Sequence, residues 1–150
     1  MKPGVSKAEG SAFRDRIAQA AQIGVDHGLT VGIHAHAAGF MDFEPELERL
    51  LDEVDEDLLK ICFDTGHHSY AGFDPVAFMK RHIGRISYMH FKDIDPVVKA
   101  DVIAKGTGFY DACGQGIFCN LGDGDVNFNR VREILIENGF EGWCTVEHDC

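Results

Sequence analysis

The chain has 150 residues, 45% hydrophobic and 26% charged, the composition of one globular unit with enough apolar side chains for a core. Its formal net charge of −11 argues against nucleic acid or an anionic membrane surface as a partner. No apolar run approaches the roughly 18 residues of a membrane span, residues 1–25 do not read as a signal peptide, and the cysteines (Cys62, Cys113, Cys119, Cys144, Cys150) lack CxxC spacing, which fits a reduced, cytoplasmic protein without a disulfide framework or zinc finger.

The chain opens with Ser6 and Glu9 in the S-x-x-E form of a capping box. Phe13, Ile17, Ala20, Ala21 and Val25 then recur at helical spacing, and Gly28 supplies a stop. Residues 29–36 (LTVGIHAH) read as a strand whose alternation sends Val31 and Ile33 to one face and Gly32, His34 and His36 to the other. Pro45 suits the first position of a second helix, with Leu47, Leu50, Leu51 and Val54 as its apolar stripe and the acidic run 52–57 as its solvated end. Residues 60–64 (KICFD) form a second strand, followed by a loop through Gly72. Asp74 and Pro75 open a third helix with Val76, Met79 and Ile83 inward.

Residues 85–91 (RISYMHF) are the third strand, with His90 and Lys92 on one face by parity. Asp95 and Pro96 start a helix through Val98 and Val102, and the glycine-rich stretch 106–125 reads as a loop, so that about 94–126 forms a long excursion. Asn127 caps a helix with Phe128, Val131, Ile134 and Leu135 inward and Gly139 at its end. Residues 142–147 are the fourth strand, with Trp143, Thr145 and Glu147 on one face. Trp143 is expected in the core or stacked on a substrate ring, and Cys62 and Cys144 are expected as small buried hydrophobes. Strands alternating with helices imply parallel pairing and right-handed crossovers. Four such strands are half of what a closed α/β barrel needs.

Each strand ends in a side chain able to hold a metal: His34, Asp64, His90 and Glu147. Parallel α/β proteins build their sites at these carboxyl ends. Singly, each residue has an ordinary explanation. A strand-end histidine is more often a hydrogen-bonded structural group, Asp64 before Thr-Gly can cap a turn, and Glu147 can be a solvated charge. Four at successive strand ends favour one shared site. Imidazole with carboxylate suits Mn2+, Co2+, Fe2+ or Zn2+ rather than calcium. Lys92 either binds a substrate oxygen beside His90 or stands exposed in a salt bridge. His36, His68 and His148 neighbour the proposed ligands, with His36 a candidate substrate contact, and His27 and His82 read as surface residues.

CFDTGH followed by Tyr70-Ala71-Gly72, then HFKD, GDGDVNF and a W-x-x-VE strand resembles the inosose (2-keto-myo-inositol) dehydratases, which belong to the xylose isomerase-like TIM barrels along with many sugar isomerases and epimerases. The resemblance runs over nearly the whole chain, and the glycine-rich stretch points to the dehydratase branch. It implies an α/β fold of parallel βα units forming the C-terminal half, strands five to eight, of a TIM barrel. It also implies a metal-dependent lyase that removes water from a keto-cyclitol in inositol catabolism. The implied ligands are His34, Asp64, His90 and Glu147, holding Mn2+ or Co2+, with Mg2+, Fe2+ or Zn2+ as alternatives. Glu147 or a metal-bound hydroxide would act as base, and His67 and Lys92 would contact substrate oxygens, one or the other assisting the leaving hydroxyl or the enolate. His34 stands where the epimerases carry a glutamate, which fits elimination with one acid and one base better than a two-glutamate proton shuttle. An open half-barrel exposes strand edges and apolar surface, so a second copy or a separate N-terminal half is expected as a partner. The alternatives are a sugar isomerase or epimerase, an inactive half-barrel, and a DNA-repair nuclease, the last disfavoured by the acidic charge.

Overall fold

In the computed structural model, residues 7–39 and 44–149 are described. The first half runs α1 (Lys7–Asp26), β1 (Gly32–Ile33), α2 (Glu44–Glu53), β2 (Lys60–Asp64), α3 (Thr65–Tyr70), α4 (Pro75–His82), a 3-10 turn (Ile83–Arg85) and β3 (Ile86–Phe91). The second half runs β4 (Asp93–Ile94), α5 (Pro96–Lys105), α6 (Phe109–Cys113), β5 (Phe118–Cys119), α7 (Phe128–Glu137) and β6 (Trp143–Val146). β1, β2, β3 and β6 form one parallel sheet in chain order, and β4 pairs with β5 as a separate antiparallel ribbon. No helix among the described residues is long and apolar enough to cross a membrane.

The helices follow their sequence signals. Leu47, Leu50, Leu51 and Val54 are all buried against the sheet residues Ile61, Phe63 and Met89. Asp74 accepts the Val76 N–H and Pro75 occupies the first turn of α4, whose Phe78 and Met79 are fully buried. Asn127 accepts the Arg130 N–H to start α7, and Val131 and Ile134 point inward. α1 buries Phe13, Ile17, Ala18 and Ala21, whereas Ala20 and Val25 face solvent. Its expected capping box includes Ser6, which lies outside the described residues.

Three segments depart from expectation. β1 is two residues long instead of the eight of 29–36, its pairing with β2 confined to Gly32 opposite Lys60 and Ile33 opposite Ile61. After β2 the chain turns directly into α3, where a loop was expected, because the Asp64 carboxylate accepts the His67 N–H and caps the helix. Residues 106–125 contain α6 and β5 rather than unbroken loop, with Ile94, Val102, Phe109, Ala112, Ile117 and Phe118 forming a second small core.

Asp93 holds that excursion together. Its carboxylate is fully buried and accepts four backbone N–H groups, from Ile94 (2.9 Å), Gly122 (2.8 Å), Gly124 (3.1 Å) and Val126 (3.0 Å). A Cβ on Gly124 would stand 2.2 Å from Asp93 Oδ1, so only glycine lets the backbone approach this closely.

β6 runs along one edge of the sheet and is poorly covered. Trp143 is 80% exposed and Val146 66%, and Cys144 is also exposed. Trp143 therefore neither packs in the core nor reaches the other strand ends, and Cys144 is not a buried hydrophobe. A strand with one ladder neighbour among the described residues leaves such side chains in solvent.

Replacing Asp93 by Ala strands four backbone N–H donors, of which those of Ile94 and Val126 are buried. The expected cost is about 3 kcal/mol or more, read as a lower urea midpoint, together with faster proteolysis of residues 106–126.

Candidate metal centre

The site is built at the carboxyl ends of the parallel strands. Asp64 at the end of β2 is in register with His90 of β3, which is in register with Thr145 of β6. His34 follows β1, and Glu147 follows β6 with its N–H bonded to Phe91 O at 3.1 Å. Asp64 divides its oxygens between two tasks. Oδ1 caps α3 through the His67 N–H at 2.8 Å, while Oδ2 lies 3.6 Å from His34 Nε2 and 3.5 Å from His90 Nδ1. The turn cap and the free ligand oxygen thus coexist in one carboxylate.

His34, Asp64 and His90 each present a ligand atom within 4.8 Å of the others. His34 Nε2, Asp64 Oδ2 and His90 Nδ1 are all buried and, among the described residues, none makes a hydrogen bond of good geometry, although Oδ2 forms an ion pair with Lys92 Nζ at 3.2 Å and His90 Nδ1 lies 3.2 Å from Glu147 Oε2. Buried polar atoms left unmatched are costly. Three of them gathered together fit a divalent cation, and two imidazoles with a carboxylate suit a first-row transition metal. Glu147 stands beside this group. Its Oε2 is 3.2 Å from His90 Nδ1 and 2.8 Å from Lys92 Nζ. His90 Nε2 faces the Cys62 sulfur at 3.7 Å, and that thiol is pushed up to about 11 by burial and by the Asp64 and Glu147 charges, so it stays protonated.

His36, His67 and Asp149 form a second group with ligand atoms within 4.8 Å of one another. The His36 and His67 rings are 3.8 Å apart, and His36 Nδ1 donates to Ala37 O at 2.8 Å. Lys92 joins the two groups. It is 2% exposed, which removes the reading of a surface lysine. Its Nζ donates to Asp149 Oδ2 at 2.7 Å and His67 Nε2 at 3.1 Å, and lies 2.8 Å from Glu147 Oε2 and 3.2 Å from Asp64 Oδ2. The ammonium thus has two hydrogen-bond partners and two further carboxylate oxygens in ion-pair range, so a substrate oxygen reaching Lys92 would have to displace one of them.

The electrostatics follow from this packing. Burial opposes charge on Lys92, but the hydrogen bonds to Asp149 and Glu147 and the Asp64 charge raise its pKa above the ordinary lysine value, so it is a cation and not a base. Burial likewise opposes charge on Asp64, yet His34, His67 and Lys92 hold its carboxyl well below the usual range. Burial pushes His67 down to about 3 against the pull of Asp64, and its imidazole is neutral near pH 7. Because Nε2 accepts from Lys92, the His67 proton sits on Nδ1, a buried atom with no partner among the described residues.

The supporting residues include several that the sequence did not point to. Thr65 Oγ1 donates to Lys92 O at 2.7 Å and accepts the Lys92 N–H at 3.1 Å. A Cβ on Gly66 would lie 2.4 Å from Lys92 Cβ, so glycine lets α3 lie against the strand end. Phe109 of α6 packs against His36 and His67, its ring centroid 5.5 and 5.4 Å from theirs. Asp149 carries a signal that was readable: it continues the period-two face of Trp143, Thr145 and Glu147. His68 turns away, its Nε2 2.8 Å from Glu44 Oε2, His27 and His148 are exposed, and half-buried His82 lies 2.8 Å from Glu48.

His67 makes stability depend on pH. Its folded pKa of about 3 lies below the ordinary 6.5, so between these values the unfolded chain binds a proton that the folded one does not. Stability is full above about 6.5 and falls as pH drops toward about 3, with Asp64 acting in the same direction at lower pH. Urea midpoints should decline on acidification over this range, and His67→Asn should flatten that decline.

A profile of the xylose isomerase-like TIM barrel family matches residues 3–150. The chain is 34% identical over 126 residues to an inosose dehydratase of Clostridium botulinum, covering 84% of this chain and 42% of that protein. It is 32% identical over 146 residues to an inosose dehydratase of Clostridium tetani, covering 97% and 49%. The chain thus spans about half the length of the curated relatives it matches. Among solved structures it superimposes on the probable 3-DHS dehydratase AsbF of Bacillus anthracis with a TM-score of 0.78 at 23% identity, covering 98% of this chain and 53% of that one. It also superimposes on the IOLI protein with a bound zinc atom, with a TM-score of 0.71 at 17% identity, covering 99% and 51%. With a match over nearly all of its length and four parallel strands equal to half a barrel, the chain belongs to the xylose isomerase-like TIM barrel family.

Proposed function

We propose that the chain carries the catalytic rim of a metal-dependent hydro-lyase that eliminates water from a keto-cyclitol, 2-keto-myo-inositol, in inositol catabolism. The observation that carries this reading is the convergence of His34 Nε2, Asp64 Oδ2 and His90 Nδ1, buried and outside any hydrogen bond of good geometry among the described residues, in a chain similar to inosose dehydratases. His34, Asp64 and His90 would hold the ion, with Glu147 as fourth ligand or base. Mn2+ or Co2+ is the proposed metal, with Mg2+, Fe2+ or Zn2+ as alternatives. When bound, the ion supplies Lewis acidity that polarises a ketone and acidifies the adjacent C–H.

The side chains then divide the remaining work. Glu147, beside His90, takes the proton from carbon. His67, a neutral imidazole, hydrogen-bonds the departing hydroxyl through its Nδ1–H, the proton that Glu147 takes from carbon leaves with that hydroxyl as water, and His36 orients a substrate oxygen. Lys92, buried and cationic, stabilises the negative charge that develops on the enolate oxygen. His34 in place of a glutamate favours this elimination over an epimerase reaction. The exposed edge at Trp143 and Val146 supports a partner, either a second copy or an N-terminal half-barrel, and favours a second reading in which this half alone is inactive.

Incubating the chain with 2-keto-myo-inositol and Mn2+ or Co2+ should give the ultraviolet absorbance of the dione. Deuterium exchange at carbon without loss of oxygen would instead identify an epimerase, and neither result, with metal bound, would favour the inactive half. His34→Ala should weaken metal binding by at least about 10-fold in calorimetric titration while leaving the circular dichroism spectrum unchanged.

A further inference from the structure

The chain brings together two groups of ligand-competent side chains, yet a cation of its own stands between them. His36, His67 and Asp149 are spaced as a metal site. Two of these residues already hold the Lys92 ammonium, at 3.1 Å from His67 Nε2 and 2.7 Å from Asp149 Oδ2. A transition metal bound by the same atoms would sit about 2.1 Å from each of them, within the space that Nζ fills. The lysine cannot easily swing aside, because it is 2% exposed and its backbone is clamped by Thr65 and backed by Gly66.

Charge points the same way. Asp64, Glu147 and Asp149 contribute three negative charges around Nζ, and the ammonium cancels one of them. The two that remain are balanced by one divalent ion at His34, Asp64 and His90. A second divalent ion would leave the cluster, with Asp64 and Lys92 buried at its centre, carrying excess positive charge.

We propose that Lys92 is a built-in cation that occupies a second metal site formed by His36, His67 and Asp149, and so limits this rim to one divalent ion. The inference deepens the proposed function, since it takes the ion at His34, Asp64 and His90 as the first. Removing the ammonium while keeping an unbranched side chain of similar length opens the second site.

The test is metal content measured by inductively coupled plasma mass spectrometry after equilibration with Zn2+ or Co2+. Lys92→Met should bind one equivalent more than the wild type, and Lys92→Met with Asp149→Asn should lose that gain. No increment in Lys92→Met overturns the proposal, as does a wild type that already binds two equivalents. Should Lys92→Met not fold, Asp149→Asn alone decides. It alters a group near the end of the described chain, and unchanged metal content supports the proposal whereas loss of an equivalent overturns it. A wild type that binds no metal, with Lys92→Met binding one, sinks the first site and the proposed function but leaves the role of Lys92 standing.

Discussion

The buried ammonium of Lys92 is the contact on which the rest of the rim depends. Three carboxylates, buried Asp64 and the partly exposed Glu147 and Asp149, gather around one point at the ends of β2 and β6, and without a cation among them their mutual repulsion would push the strand ends apart or favour protonation. Lys92 supplies that charge from β3, the strand that lies between them. Its position in turn relies on Thr65, whose hydroxyl both gives and takes a hydrogen bond with the Lys92 backbone, and on Gly66, whose missing Cβ lets α3 come close. The helix turn after Asp64 and the lysine after His90 are therefore one unit, though 28 positions separate Asp64 from Lys92 in the chain.

A second buried carboxylate, Asp93, does for the long excursion what Lys92 does for the rim. The two are adjacent in sequence and point to different tasks. Lys92 gathers charged side chains, and Asp93 gathers backbone N–H groups from residues 122–126. The excursion so anchored delivers Phe109 against His36 and Phe118 near Lys92, giving the polar cluster an aromatic wall. Low dielectric beside such a wall strengthens the interactions it borders.

The same sheet that builds a dense rim leaves its margins open. β1 and β6 each have one neighbour, and the side chains of β6 remain largely in solvent. The chain's coverage of about half of its matched relatives accords with those edges, since a closed barrel has none. The cluster of His34, Asp64 and His90 is nonetheless drawn together at the ends of strands of this chain that pair in order.

What the sequence determined by itself was local or periodic. The apolar stripes of α2, α4 and α7, the caps at Asp74, Asp95 and Asn127, and the strand-end placement of His34, Asp64 and His90 follow from spacing and side-chain chemistry within a few residues. Tertiary structure alone decided the rest. That Lys92 is buried and not a surface cation, that Asp149 reaches His67, that Asp93 ties down residues 122–126, and that Trp143 faces solvent each depend on what lies opposite in space. Parity along a strand says which face a side chain takes, but burial and pairing are set by residues from other strands and by whether anything covers that face at all.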